Sequence, residues 1–308
     1  MQHYWSIDGV QLKDAWLTIG SFDGVHRGHQ AIIRKLIAGA HAAGAPAVVL
    51  AFHPHPSVIL RNRSCACYLT TPEERAALLG ELGVDVVITQ PFSRQLADTP
   101  AREFVQSLVK HLQLRHLCLG HDFALGRERE GDFPSLQRLG KEFGFTLNAM
   151  RPIKASGLVV SSSRIRSALE EGDLQMANQF LGRPYQVRGE VIHGDGRGHL
   201  LGIPTANLYV WVERALPKTG VYACLVGVDG IDWKAVANVG VRPTFDNQPL
   251  SPRVEVHLLD FERDLYGCQV SLSFITRLRD EQRFPSPEAL VSRVRCDIEQ
   301  ARRILQVK

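Results

Sequence analysis

The chain lacks any C-x-x-C pair: its 6 cysteines are scattered, and only Cys65 and Cys67 lie close together. That spacing argues against a zinc site and leaves reduced thiols as the default, the condition of a cytoplasmic enzyme. No apolar run approaches the length that spans a bilayer, and the first residues carry Asp8, Lys13 and Asp14 without an apolar segment. Neither a membrane helix nor a secretory leader is expected. An excess of one charge is also missing. Lys and Arg number 36 against 32 Asp and Glu, a net charge of +4, with no basic run and no basic–aromatic interleaving. Nucleic acid is therefore not an expected partner, whereas small anions are. Internal repeats and low-complexity segments are absent too. What remains is a chain of 308 residues, long enough for two domains.

Residues 15 to about 150 alternate between strand-like and helix-like segments. Ala15–Ile19, Ala47–Phe52, Val84–Ile88, Leu117–Leu119 and Phe145–Met150 read as short buried strands. Thr71-Pro-Glu-Glu74 is a capping box with proline in the first turn, opening a helix to about Leu82. Pro100 opens another, and a third lies near Leu136–Phe143. This alternation predicts an α/β domain with a parallel, Rossmann-like sheet, whose ligands sit at the carboxyl ends of the strands. After Leu181-Gly-Arg-Pro184 the texture changes. β-rich runs at Tyr185–His193, Gly220–Val228, Lys234–Val241, Val254–Leu259 and Gln269–Ile275 predict an antiparallel barrel or sandwich. A last helix is capped by Ser286, with Pro287 at its first position. Its apolar stripe of Leu290, Val294, Ile298, Ala301 and Leu305 is expected to pack on the barrel as structure. The expected division is 1–182 and 183–308.

Gly20-Ser-Phe-Asp-Gly-Val-His-Arg-Gly-His29 joins the first strand to a helix. Gly20 and Gly24 allow a tight turn that exposes backbone N–H groups, and a helix start is a natural seat for phosphate. His26 and His29, at i and i+3, share one face. Three segments can complete this site. His53-Pro-His-Pro56 and Gly120-His-Asp-Phe-Ala-Leu-Gly126 each follow a strand. Ser161-Ser-Ser-Arg-Ile-Arg166 starts a helix, with Ser162 and Ser163 as caps and Arg166 one turn in. His53 and His55 read equally well as turn residues. If the attacking group is itself a phosphate, no base is needed. Two anions must only be aligned and their charge offset, and His26, His29, Arg166 and backbone N–H groups are suitable donors.

A second constellation is Gly194-Asp-Gly-Arg-Gly198 with Gly202-Ile-Pro-Thr-Ala-Asn207. Gly194, Gly196, Gly198 and Gly202 permit close approach to a phosphate chain. In an extended segment Thr205 and Asn207 project to one side, and their oxygens suit Mg²⁺. Phosphorylating an alcohol benefits from a base, and Glu255 within Val254-Glu-Val-His-Leu-Leu-Asp260 is the candidate. By pattern alone Glu255 is equally an outward-facing strand residue.

His26-Arg-Gly-His29 resembles the HxGH signature of the nucleotidyltransferases. Together with LTTPEERAALLGELGVD (69–85), GHDFALGREREGDF (120–133), SSSRIRSALEEGD (161–173), GIPTANL (202–208), ANVGVRPTF (237–245), VEVHLLDF (254–261) and LRDEQRF (278–284), it resembles the bacterial bifunctional riboflavin kinase/FMN adenylyltransferases, or FAD synthetases, over nearly the whole chain. The resemblance implies an N-terminal domain that adenylates FMN with ATP. It also implies a C-terminal six-stranded barrel that phosphorylates riboflavin with ATP and Mg²⁺. Motif matching assigns His26, His29 and Arg166 to ATP in the first domain and Asp122 to its FMN/ATP pocket, and Gly20, Phe22, Asp23, Gly24, Ser162 and Ser163 are further candidate binding residues there. In the second domain, Thr205, Asn207 and Pro204 hold Mg-ATP, Glu255 is the base, and Arg279 and Phe284 fall on the flavin side. His53, Ala124 and His199 depart from the usual glutamate, arginine and arginine. These departures keep open a kinase whose first domain senses flavin. Oligomeric state is not legible.

Overall fold

A computed structural model describes residues 1–61, 67–120, 123–155, 157–194, 198, 202–241 and 252–306. By their contacts they form two units, Met1–Ser162 and Ser163–Lys308.

The first unit is a parallel sheet of six strands: β1 (Gln2–Tyr4), β2 (Trp16–Gly20), β3 (Ala47–His53), β4 (Val86–Pro91), β5 (His116–Gly120) and β6 (Thr146–Met150), in the order β1-β4-β3-β2-β5-β6. Successive side chains on a strand leave opposite faces. Val48 and Leu50 accordingly pack with Leu17, Ile19, Val86 and Ile88 under α5 (Ala101–Leu112) and α6 (Phe133–Phe143). Val49, Ala51 and Val87 face the other way, onto Ile33 of α1 (Arg27–Ala42) and Ala76 and Leu79 of α3 (Pro72–Glu81). Both faces being covered, the strands read as continuous apolar runs. The capping box of α3 is present: Thr71 Oγ1 accepts from Glu74 N at 3.2 Å and Glu74 Oε2 accepts from Thr71 N at 2.9 Å. The edge strand β1 and the short helices α2 (Pro56–Arg61) and α4 (Arg94–Ala97) are additions to the predicted elements.

The chain leaves β2 for β3 and β4 on one side, then returns to β5 on the other. The carboxyl end of β2 is therefore the switch point of the sheet, where open α/β sheets form their crevice. The loop to His26 starts there.

After the two-stranded β7 (Lys154–Ala155) and β8 (Leu158–Val159), α7 (Ser162–Glu171) and α8 (Leu174–Leu181) precede the barrel. Asn178 on α8 donates to Phe274 O at 3.0 Å and accepts from Tyr185 N at 2.7 Å, which fastens α8 to the barrel wall. The barrel is closed, in the order β10-β13-β12-β11-β14-β9. Its strands are β9 (Tyr185–Ile192), β10 (Ala206–Val210), β11 (Gly220–Val228), β12 (Ile231–Val241), β13 (Pro252–Leu258) and β14 (Gln269–Arg279). β10 is the strand that pattern alone does not single out, because its polar positions alternate with only short apolar ones. The terminal helix α9 (Pro287–Leu305) is capped by Ser286, whose Oγ accepts from Ala289 N at 3.3 Å.

Candidate functional sites

The loop after β2 is held in an unusual backbone. Phe22 (φ +48), Gly24 (φ +80) and Val25 (φ +41) are left-handed, a costly state for a phenylalanine and more so for a β-branched valine. Burial offsets it: Phe22 and Val25 are 3% and 2% exposed, in the core formed with α1 and α3. The buried Asp23 carboxylate accepts from Leu69 N at 3.0 Å and from Thr70 N at 3.1 Å, tying the loop to the start of α3. Asp23 thus serves loop geometry with the very oxygens that a ligand role would need. Ser162 Oγ donates to Asp23 O at 2.9 Å, a further tether.

His26 is the N-cap of α1, and its Nδ1 accepts from His29 N at 3.3 Å. The two imidazoles stack, with centroids 3.6 Å apart and planes 16° from parallel. Phe22 meets His29 edge-on at 5.1 Å. A Cβ on the intervening Gly28 would come within 3.0 Å of the His26 ring, so this glycine is what admits the stack. Burial, then His26, then Arg75 lower the His29 pKa well below 6.5, leaving it neutral near pH 7. Among the described residues His29 Nδ1 is buried without a hydrogen-bond partner. Arg75, on α3, is also buried. Its Nη1 donates to Ser21 O at 2.8 Å, while Nε and Nη2 have no hydrogen-bond partner among the described residues. Sequence reasoning passed over Arg75, because an arginine after Glu73 and Glu74 reads as the solvated face of a helix.

Gly20 lies at the end of β2. Ser163 and Arg166 lie on α7, in the second unit by contact. His53 packs its ring 5.4 Å from Tyr68, and Ala124 is described, whereas Cys65, Asp122, Gly196 and His199 lie outside the described residues.

In the second unit the strand register assembles the site. Asn207 on β10 pairs directly with Glu255 on β13, which pairs with Asn238 on β12. Asn238 pairs with Val221 on β11, and Val221 with Arg279 on β14. Direct partners share a face, so these five side chains form one belt across five adjacent strands. Val254, Val256 and Leu258 turn the other way and are buried. The belt lines a cavity of about 430 Å³ roofed by α9. Both readings of Glu255 therefore meet: it faces away from its buried strand neighbours and towards a cavity.

The glycines of this unit serve side chains at close range. A Cβ on Gly194 would fall 2.0 Å from Asn207 Nδ2, and one on Gly198 would fall 3.0 Å from Thr205 Oγ1. Gly202 takes φ +71 in the turn before Pro204, whose carbonyl lies 2.7 Å from His257 Nδ1. Phe284, Val221, Val236, Leu290, Val291 and Val294 make the apolar wall. The α9 stripe is thus divided. Ile298, Ala301 and Leu305 pack on the barrel as expected, but Leu290 and Val294 line the cavity. Arg279 is engaged by Asp297 of α9 through Nε at 2.9 Å and Nη2 at 2.7 Å. This ion pair is 10% and 1% exposed, and it joins the belt to its roof. Arg253, which sequence reasoning did not select, also lines the cavity.

A belt that is polar but for Val221, beside an apolar wall to which that valine adds, suits a ligand with a planar apolar body and a polar tail. Thr205 and Asn207 offer hard oxygen donors. Among the described residues no group of three or more His, Cys, Asp or Glu could hold a metal ion. The donor set fits a cation brought in on a nucleotide, since Mg²⁺ is commonly held by few protein oxygens plus phosphates.

The chain matches the FAD synthetase family model over residues 9–164 and the riboflavin kinase family model over 181–305. It is 43% identical over 286 residues to the bifunctional riboflavin kinase/FMN adenylyltransferase of Pseudomonas fluorescens, covering 92% of this chain and 91% of that one. Against the enzyme of the same name from Escherichia coli K12 the identity is 38%, over 91% and 90% of the two chains. A solved structure described as a macrolide-efflux protein from Streptococcus pneumoniae is similar with a TM-score of 0.88 at 30% identity, over 97% and 98%. Among the described residues no helix is long and apolar enough to cross a membrane.

Proposed function

The chain belongs to the bifunctional riboflavin kinase/FMN adenylyltransferase family, and from that membership we propose which of its residues carry each of the two reactions. The enzyme makes FAD in two steps, phosphorylating riboflavin to FMN with ATP and then transferring adenylyl from ATP to FMN with release of pyrophosphate.

In the kinase reaction Glu255 accepts the proton of the ribityl 5′-hydroxyl as that oxygen attacks the γ-phosphorus. Its direct pairing with Asn207 is the observation that carries this assignment. Thr205 and Asn207 lie on the nucleotide side and would hold Mg²⁺, which when bound offsets the charge of the triphosphate. Gly194, Gly198, Gly202 and Pro204 keep the backbone close to the phosphates. The apolar wall with Phe284 receives the flavin ring. Arg279 acts through its hold on Asp297, which sets the distance between roof and belt.

In the adenylyl transfer the attacking group is the FMN phosphate, so no base is required. The stacked His26 and His29 rings donate to ATP phosphates at the start of α1, where the backbone N–H groups and helix dipole also favour an anion. The Gly20–Gly24 loop cradles the nucleotide, and Asp23 and Phe22 act by holding its shape. By resemblance to the family Ser162, Ser163, Arg166 and Asp122 serve the same reaction, and the functional division is 1–182 and 183–308. Among the described residues the cysteines are free thiols, which suits a cytoplasmic enzyme acting on small molecules rather than nucleic acid.

Incubation with riboflavin and Mg-ATP tests the proposal: FMN should appear first and FAD after it. FMN alone would return the reading in which the first unit senses flavin, and neither product would remove both assignments.

A further inference from the structure

The kinase cavity contains a guanidinium to which the two-step reaction gives no task. Arg253 stands two residues before Glu255 on β13, so both side chains leave the same face of the strand. Its Nη2 lies 2.5 Å from Glu255 Oε1, and its Nε donates to Asn207 Oδ1 at 3.4 Å. One arginine thus touches both the assigned base and the assigned nucleotide-side amide. This arrangement is unready for reaction. Glu255 Oε1 has a lone pair engaged by the guanidinium, which therefore stands against the base, and Asn207 Oδ1 turned to Nε is turned away from a cation. The pair is not sealed in the core, since the two side chains are 31% and 26% exposed. The guanidinium is therefore able to swing aside. A triphosphate is the stronger competitor, with several negative charges and paired oxygens that match the guanidinium fork. Arg279 cannot take this part, because its Nε and Nη2 are committed to buried Asp297.

We infer that Arg253 is a phosphate-binding residue of the kinase site that rests on Glu255 until a nucleoside triphosphate draws it away and frees the base. The inference rests on the proposed roles of Glu255 and Asn207. The step it serves balances. The ribityl oxygen forms a bond to the γ-phosphorus, and the bond from that phosphorus to the β,γ-bridging oxygen breaks. Its electron pair leaves on ADP, and the hydroxyl proton passes to Glu255. Arg253 offsets charge on the transferred group and couples the arrival of nucleotide to release of the base.

The test is the inhibition constant of the magnesium complex of the β,γ-imido analogue of ATP. It is measured against ATP on the full chain in a His29→Ala background, which stops at FMN, with residual FMN formation from riboflavin as the readout, so adenylyl transfer does not drain the product. Glu255→Gln removes the resting partner at nearly constant shape, so the analogue should bind about fivefold tighter, the scale of a partly exposed ion pair. Arg253→Gln should weaken it by roughly tenfold, the scale of one charge-assisted hydrogen bond to phosphate. Arg253→Lys, with charge but no fork, should fall between, and the double variant should lose the gain seen with Glu255→Gln alone. An ion pair of purely structural value predicts unchanged or weaker binding in Glu255→Gln, and that result overturns the inference. So does a gain that persists in the double variant. If Arg253→Gln does not fold, the direction of the Glu255→Gln shift still decides. Wild-type turnover in Glu255→Gln would instead sink the assignment of the base, which separates the two failures.

Discussion

At the scale of single residues, two glycines make the sharpest demands. Gly28 admits the histidine stack, and Gly194 admits the Asn207 amide. The Cβ of Gly194→Ala would occupy the space of that amide, 2.0 Å away, and Asn207 cannot retreat without leaving the belt. Riboflavin phosphorylation should fall at least tenfold (about 1.4 kcal/mol off transition-state stabilisation) while FAD formation from supplied FMN stays intact. Assays of the two half-reactions check this. His29 supplies a pH dependence. Its folded pKa is lowered, so between the ordinary value of 6.5 and the lower folded value only the unfolded chain holds the extra proton. The stability of the first unit should be level above about pH 6.5 and decline as the pH falls below it. Denaturant melts from pH 8 to 5 should show the decline, and His29→Gln should flatten it. The histidine pair and the Thr205-Ala-Asn207 triplet were legible in the sequence because few structural needs bring such residues together with glycines. Arg75 and Arg253 were not. Each sits in a pattern that reads as a solvated face, and neither the burial of Arg75 nor the roof over Arg253 is written in local periodicity. Asp23 was legible as special, but its oxygens are engaged by Leu69 and Thr70, 46 and 47 residues away.

Elements announce themselves in proportion to their apolar content and their caps. The central strands β2 to β5 are buried on both faces, so their apolar runs marked them to within two or three residues at each end. The α3 cap was visible as Thr71-Pro-Glu-Glu74 and is made as expected. Thr71→Ala should destabilise the first unit by about 1 kcal/mol, the usual worth of an N-cap, and calorimetry should show a lowered Tm for that unit. β10 escaped notice because it buries little: of its five residues only Leu208 is buried, while Asn207 lines the cavity and Tyr209 is exposed. α9 looked like a uniform packing helix. Its first two turns instead face the cavity, and Asp297 binds Arg279. Asp297→Ala would leave a nearly buried arginine unpaired and should cost about 3 kcal/mol. Chemical denaturation should show this loss in the barrel unit, together with a larger fall in kinase than in adenylyltransferase activity.

For the whole molecule, the change of texture near residue 182 announced two architectures, and both are present: a parallel sheet with its loop at the switch point, and a closed antiparallel barrel. The contact boundary nevertheless falls after Ser162, because α7 and α8 pack with the barrel. Sequence texture records the kind of element, whereas contacts record the neighbour it packs against, and a pair of helices suits either kind of unit. The central claim is that one chain holds two separate nucleotide sites, one using the His26–His29 pair and the other the Asn207–Glu255 belt. Mixing two inactivated chains tests it most directly. With riboflavin and Mg-ATP, His29→Ala alone should accumulate FMN, and Asn207→Ala alone should make neither product. The mixture should make FAD from FMN released by one chain and taken up by the other. Loss of both half-reactions in either single variant, or FAD from His29→Ala at the wild-type rate, would contradict the claim.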